Sequence, residues 1–394
     1  MAVSFIITTF NIETYVRQCL ASVAACVRPG DQVVIVDDGS TDDTVETITA
    51  LLPDLEAKGV EVTTAFLGVN TFGGVGIGGN IGMDLSTRDI VFFVDGDDYL
   101  DPAGFEVALR EFEASDADIS LANYREWDEI RQEQKSPADH HKWASIGARL
   151  DAEGARVRAL DMIAVPWRKF YRRDLLVKHK LRFPEGDFFF EDNPFHWDVC
   201  RAASRIHFTN RVICYHRVNR PGQTMTSKGY ELQAFFVHFQ SIFASIAPQD
   251  DVLREMACRW LINNMTWHLE RMHVEALWAY FQTGHTALRD IPDDLWNGAV
   301  AEYFLAKSIW PTVCMIREGN AWSVLESIKA KRRHDEMRAL VKKGVDEIAV
   351  VRAELRKVAG DTKASRQILQ AQRYMDEFRA LISDDTLLPR KFTE

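Results

Sequence analysis

Val3 to Phe10, VSFIITTF, is an apolar run rich in β-branched residues and predicts a strand buried on both faces. The period then changes. Val16, Leu20, Val23 and Val27 recur at threes and fours, the spacing of a helix with one apolar stripe. Pro29-Gly30 breaks that helix, and Val33 to Val36 is a second buried run. TDDTVETITALLPDL predicts a second helix, with Thr41 as N-cap and acids in its first turn. VEVTTAFL is a third strand, GVNTFGGVGIGGNIGMDLS a glycine-rich loop entering a helix, and DIVFFVD a fourth strand. Such alternation predicts a mostly parallel, doubly wound α/β sheet with flanking helices.

The pattern is different beyond Met225. ELQAFFVHFQSIFASI, REMACRWLINNMTWHLERM and VEALWAYFQTGHTAL predict aromatic-rich helices. From Ser323 the chain is charged and helical: Met337, Val341, Val345, Ile348, Val351, Leu355 and Val358 repeat at threes and fours. GDTK, Gly360 to Lys363, reads as a turn, after which Ile368, Ala371, Met375, Phe378 and Ile382 resume the rhythm. The expected organisation is an α/β domain over 1–225, a helical domain over 226–322 and a helical hairpin over 323–394. The hairpin's apolar stripe needs a partner, either within the chain or in a second subunit.

Composition narrows the function classes. The 394 residues carry a net charge of −11, which argues against the broad basic face that nucleic-acid binding needs. Six scattered cysteines form no CxxC pair and no zinc spacing, so a reduced, cytosolic setting is expected. MAVSFIITTF lacks the cationic start and long apolar core of a signal peptide, and no run of about 18 apolar residues predicts a membrane span.

Three polar clusters end the predicted strands: Thr8-Thr9-Phe10-Asn11, Asp37-Asp38-Gly39-Ser40 and Asp95-Gly96-Asp97-Asp98. Ligands of open α/β sheets bind beyond the carboxyl ends of strands, so the three tips predict one shared site. Asp-Gly-Asp-Asp is also compatible with a plain turn. As a site, Asp95 and Asp97 sit two positions apart and offer the hard oxygens that Mg²⁺ or Mn²⁺ takes. An acid at the second strand end suits ribose hydroxyls or a base imide. Asp42 and Asp43 fit the bland reading, complementing a helix dipole. GGVGIGGN has neither the dinucleotide nor the Walker spacing and implies a flexible loop near the donor.

FIITTFNIETYVRQCLASV, VVIVDDGSTDDT, GGVGIGGNIGM and IVFFVDGDDYLDP resemble, in order and spacing, the family-2 glycosyltransferases of the GT-A fold. PWRKFYRRDLLVKHKLRFPEGDFFFEDNPFHWD is similar to the acceptor half of bacterial cell-surface polysaccharide members, and ICYHRVNRPGQTMT to the strand and Arg-rich loop that close their site. The resemblance covers Val3 to Thr226. It implies an inverting, metal-dependent transfer of one sugar from a UDP-sugar to a saccharide or polyol-phosphate acceptor, lipid-linked in some members.

It also implies residue roles. Thr8, Thr9, Asn11, Glu13, Asp38, Asn80, Asp95 and Gly96 match donor-binding positions, with Gly79 standing where an Arg is usual. Asp95 and Asp97 match the DxD metal motif for Mn²⁺ or Mg²⁺, with His216 as a third ligand or a half-buried strand histidine. Asp192 of Glu191-Asp192 matches the catalytic base, and both acids belong to the expected catalytic set. An acceptor hydroxyl must lose its proton as it attacks, which independently calls for such a carboxylate; helix capping by Asp192 or Asn193 is the bland alternative. Arg217 or Arg220 would neutralise the leaving diphosphate.

Trp167, Phe188, Phe189, Phe190 and Trp197 are candidates for a sugar platform, though core packing suits each of them better. WRKFYRRDLLVKHK would suit a phosphate-bearing acceptor or a solvated helix face. KAKRRH, Lys329 to His334, allows at most peripheral contact with the inner face of a membrane. Two other readings use the same residues: an aspartate-nucleophile phosphatase built on VDGDD, and an impaired transferase serving as a scaffold through its C-terminal helices.

Overall fold

The computed structural model describes residues 1–71, 74–146, 150–186, 189–220, 228–358, 367 and 370–377. Phe188, the turn at Gly360 to Lys363, Ile368, Phe378 and Ile382, the boundary at 225/226 and the loop after Arg220 lie outside them, as do the side chains of Leu355 and Val358.

The first half follows the predicted alternation: β1 (Val3–Thr9), α1 (Val16–Cys26), β2 (Gln32–Asp37), α2 (Thr44–Glu56), β3 (Glu61–Phe66), α3 (Gly76–Leu85) and β4 (Ile90–Asp95). These strands pair in parallel as β3-β2-β1-β4. Helix α2 begins three residues beyond Thr41, which is not its cap. The start of α2 is instead served by Glu13, whose carboxylate accepts the Asp43 N–H at 2.9 Å, and by Asp42, which accepts the Thr44 N–H at 3.1 Å.

The second half is mixed: β5 (Tyr99–Leu100), α4 (Pro102–Ala114), β6 (Ile119–Asp128), β7 (Glu133–Lys135), α5 (Ala152–Asp161), β8 (Lys169–Arg172), α6 (Arg173–Lys178), α7 (Asp192–Ala202) and β9 (Ile206–Val218). The sheet continues β4-β8-β6-β9-β5, with β7 on β6. Only β6 and β9 run parallel there; β8 lies antiparallel to both neighbours. Helical crossovers enforce parallel pairing in the first half, whereas the entry to β8 is a short turn, Pro166–Arg168. Phe5, Phe92, Phe105 and Phe170 pack ring to ring beneath the sheet.

Three helices follow, α8 (Ala234–Ser245), α9 (Asp251–Arg271) and α10 (Val274–Arg289), each where the pattern predicts one. The chain divides into two compact units, Met1–Ala321 and Trp322–Glu394. The second is dominated by the helix Ala321–Val358, whose Arg352 donates to the Gln372 carbonyl at 3.2 Å and to Asp376 at 2.8 Å. Val341, Val345 and Ile348 are half-buried along it, while Met337 and Val351 are exposed. Among the described residues no helix is long and apolar enough to cross a membrane.

Candidate active site

The β1, β2 and β4 tips meet because the register pairs Thr8 with Asp95 and Thr9 with Asp37. Buried Asp37 accepts the Thr9 hydroxyl at 2.7 Å and the Ser40 N–H at 2.8 Å, which fixes the turn after β2. Asn11, in the left-handed region at φ 47°, accepts the Thr41 N–H at 2.8 Å. Glu13 and Asn11 thereby stitch the β1 loop to the β2 loop. The Asp38 carboxylate accepts the Thr71 N–H at 2.9 Å and the Asn70 amide at 2.9 Å, and burial raises its pKa.

Gly96 sits where strands converge. A Cβ there would lie 2.6 Å from Ile12 Cδ1, 2.7 Å from Thr9 Cγ2 and 2.8 Å from the Thr8 carbonyl oxygen. Gly96→Ala therefore forces apart two strand tips and is expected to cost about 1–3 kcal/mol in denaturant unfolding; a loss below about 0.5 kcal/mol would show the tips to be loose.

From Gly74 on, the glycine-rich segment is packed rather than loose. Cβ atoms at Gly74 and Gly76 would lie 2.4 Å from Glu191 Oε1 and 2.7 Å from Glu191 Cγ, and one at Gly79 would lie 2.9 Å from the Phe183 ring. Glu191 accepts the Gly76 N–H at 2.8 Å, at the start of α3. Burial pushes its pKa up to about 7 despite that bond. Asn80 is buried and faces the chain: its Nδ2 donates to the Phe183 carbonyl at 3.0 Å, and its Oδ1 accepts the Phe183 N–H at 3.0 Å. Phe183 thus fills the space beside Gly79, where the resemblance expects an Arg.

Asp95, Asp97 and Asp98 bring one carboxylate oxygen each within 4.8 Å of one another. Burial, then the fields of Asp98 and Asp97, hold the Asp95 pKa well above its ordinary value. Three crowded carboxylates with hard oxygens fit a small divalent cation, which would relieve that repulsion.

His216, expected as a ligand, stands outside this cluster and against Asp98, with Nδ1 2.9 Å from its carboxylate. Burial, the largest single influence, would lower the His216 pKa; the charge and hydrogen bond of Asp98, joined by the charges of Asp97 and Asp95, together outweigh it and raise the pKa to about 9. The other Asp98 oxygen accepts the Arg217 N–H at 2.8 Å. Asp98 thus spends both carboxylate oxygens on protein donors. The Arg217 guanidinium points to Glu129 and Gln18, between the rings of Tyr15 and Tyr99. Arg220 is the cation on Asp97.

Asp192 begins α7. Its charge contributes to raising the Asp95 pKa, so the two acids share one field. Burial lifts the Asp192 carboxyl to about 6, opposed by Lys169 and by donors from Asn193. Lys169, fully buried on β8, donates to the Ala164 carbonyl at 3.1 Å, and burial lowers its pKa to about 7. Sequence reasoning missed its proximity to Asp192; the one available signal was a lysine inside the apolar context of β8.

Three arginines of that run also bond within the fold, while Lys178 and Lys180 are exposed. Arg168 pairs with buried Asp139 at 2.6 Å, Arg172 donates to the Phe112 and Ser115 carbonyls, and Arg173 to that of Ser86. The candidate platform is mostly core: Trp197 is buried, Trp167 stacks on His216 at 4.9 Å, and Phe190 packs on Phe235.

Comparison with known proteins matches this architecture. Residues 4–180 match the model of glycosyl transferase family 2. The uncharacterized glycosyltransferase EpsJ of Bacillus subtilis (strain 168) is 24% identical over 217 residues, covering 55% of this chain and 61% of EpsJ. The poly(ribitol-phosphate) β-N-acetylglucosaminyltransferase TarS of Staphylococcus aureus (strain MW2) is 25% identical over 268 residues, 66% of this chain and 44% of TarS. The chain thus spans about half the length of the curated relatives it matches. The crystal structure of S. aureus TarS 1–349 in complex with UDP-GlcNAc superposes with a TM-score of 0.68 at 19% identity, covering 85% of this chain and 92% of that one. Residues 4–180 of the chain are thus similar to glycosyl transferase family 2, and the fold of residues around them to that of TarS.

Proposed function

We propose that the protein transfers one sugar, with inversion, from a UDP-sugar to a hydroxyl of a polyol-phosphate or saccharide acceptor. The observation that carries this reading is the carboxylate cluster at the β4 tip together with a separate half-buried acid, Asp192, whose charge reaches Asp95. A relative named for poly(ribitol-phosphate) and a neighbour solved with UDP-GlcNAc support the donor and acceptor classes.

In this reading Thr8, Thr9, Asp38 and Gly96 shape the nucleoside end, with Asn11 and Glu13 holding the loops and Asn80 holding α3. Asp95 and Asp97 would hold Mn²⁺ or Mg²⁺, which would supply Lewis-acid neutralisation of the diphosphate. Arg220 adds a positive charge beside the leaving group. Arg217 and His216 keep Asp98 in place, and Glu191 holds the start of α3. Asp192 takes the acceptor proton as its oxygen bonds to the anomeric carbon and the bond to the diphosphate oxygen breaks on the opposite face.

The site is assigned to 1–225 and the supporting helices to 226–322, with 323–394 as an element that pairs with a second copy. The setting is cytoplasmic, with access to a lipid-linked acceptor at the inner membrane face.

Thermal unfolding with UDP, UDP-GlcNAc and UDP-glucose, each with and without Mn²⁺, tests the reading. At a ligand concentration of about 100 Kd the stabilisation is about 2.7 kcal/mol, so a rise in Tm with nucleotide plus Mn²⁺ is expected and a much smaller one with nucleotide alone. No Tm change with any of the three would sink the donor class.

A further inference from the structure

Phe189 and Phe190, just before α7, are held by the helical region. Phe190 is in the left-handed region at φ 66°, an uncommon conformation for a bulky residue. Its ring packs on Phe235 of α8 at 4.7 Å, and the Phe235 ring stacks on Trp260 of α9 at 5.5 Å. His238 of α8 bonds through Nε2 to the Phe189 carbonyl at 2.8 Å.

The strained turn presents Asn193. The indole Nε1–H of Trp260 donates to Asn193 Oδ1 at 3.2 Å. An indole is donor-only, so the amide oxygen must face it and the amide nitrogen must face away. That nitrogen donates to the Phe190 carbonyl at 3.1 Å and to Asp192 Oδ1 at 2.8 Å. Each polar group in the chain Trp260–Asn193–Asp192 thus has one chemically allowed direction.

We propose that Asn193 and Trp260 are positioning residues that hold the Asp192 carboxylate in its working orientation, so that α9 completes a site otherwise built by the α/β sheet. The inference rests on the assignment of Asp192 as base. It gives the aromatic-rich helices a task in the reaction: Trp260 fixes the amide, and the amide fixes the carboxylate. Among the described residues, Asp192 shares its field with Lys169 and Tyr171 on β8, Asp95 on β4 and the adjacent Glu191. Of these only Lys169 favours the charged carboxylate, so an amide donor is a second stabiliser of it.

The test is a ¹³C-carboxyl NMR titration of the full chain, with the Asp192 resonance assigned by its loss in Asp192→Asn. Asn193→Ala removes the donor and is expected to raise the Asp192 midpoint by about one pH unit. Trp260→Phe keeps the ring against Phe235 but frees the amide, and is expected to raise it by about half a unit. UDP-GlcNAc hydrolysis with Mn²⁺ should show its acid limb move by the same amounts with KM unchanged, which mere loosening of the fold would not produce. Midpoints equal to wild type in both folded variants would overturn the clamp. If the midpoints move but Asp192→Asn turns over normally, the clamp on the carboxylate stands and the base assignment alone falls.

Discussion

Asp192→Asn is expected to lower the transfer rate by about 10²–10⁴-fold while leaving nucleotide affinity within about twofold. The amide is nearly isosteric and cannot accept the acceptor's proton, so the loss belongs in kcat. The pH profile makes the assignment sharper. With burial lifting the Asp192 carboxyl to about 6, the wild-type rate should fall about tenfold per unit below pH 6 and level off above it. The sign is that of a base: protonation below pH 6 removes the acceptor for the proton. Asp192→Asn should lose that limb with the activity. Glu191 also titrates nearby, at about 7, but its carboxylate is bonded to the start of α3. Glu191→Gln should therefore keep the limb near 6. An Asp192→Asn enzyme with full kcat would remove Asp192 from the chemistry.

Asp97→Asn is expected to weaken Mn²⁺ binding by tenfold or more, read by the EPR signal of free Mn²⁺, and to lower transfer by about a hundredfold or more. Replacing Asp97 removes one carboxylate of the three-acid cluster, in which Asp98 is already committed to His216 and the Arg217 N–H. It also removes a like charge beside Asp95 and the partner of Arg220. Thermal stability without Mn²⁺ should then change little, because a repulsion and an attraction are lost together. His216→Asn should weaken Mn²⁺ less than Asp97→Asn. The reverse order would restore His216 as a ligand and show the Asp98 contact to be secondary.

The four parallel strands, their order in the chain and the helices between them were legible because period and burial are local properties: an unbroken β-branched run has few other ways to fold. The same holds for α8, α9 and α10. The cluster at the β4 tip was legible too, since Asp95, Asp97 and Asp98 lie on one short segment and any turn there brings them together.

What the sequence determined by itself was therefore the alternation of elements, the three polar strand ends and the crowding of acids at one of them. Tertiary structure alone decided which acid faces what. Asp98 takes His216 from a strand more than a hundred residues on, Glu191 reaches the start of α3, and Asn80 turns to Phe183. The basic run of β8 is drawn inside to bond carbonyls, and a tryptophan of α9 meets the residue after Asp192. The physical reason is that a side chain's partner, and with it its charge state, depends on contacts between segments far apart in the chain, which no local periodicity encodes.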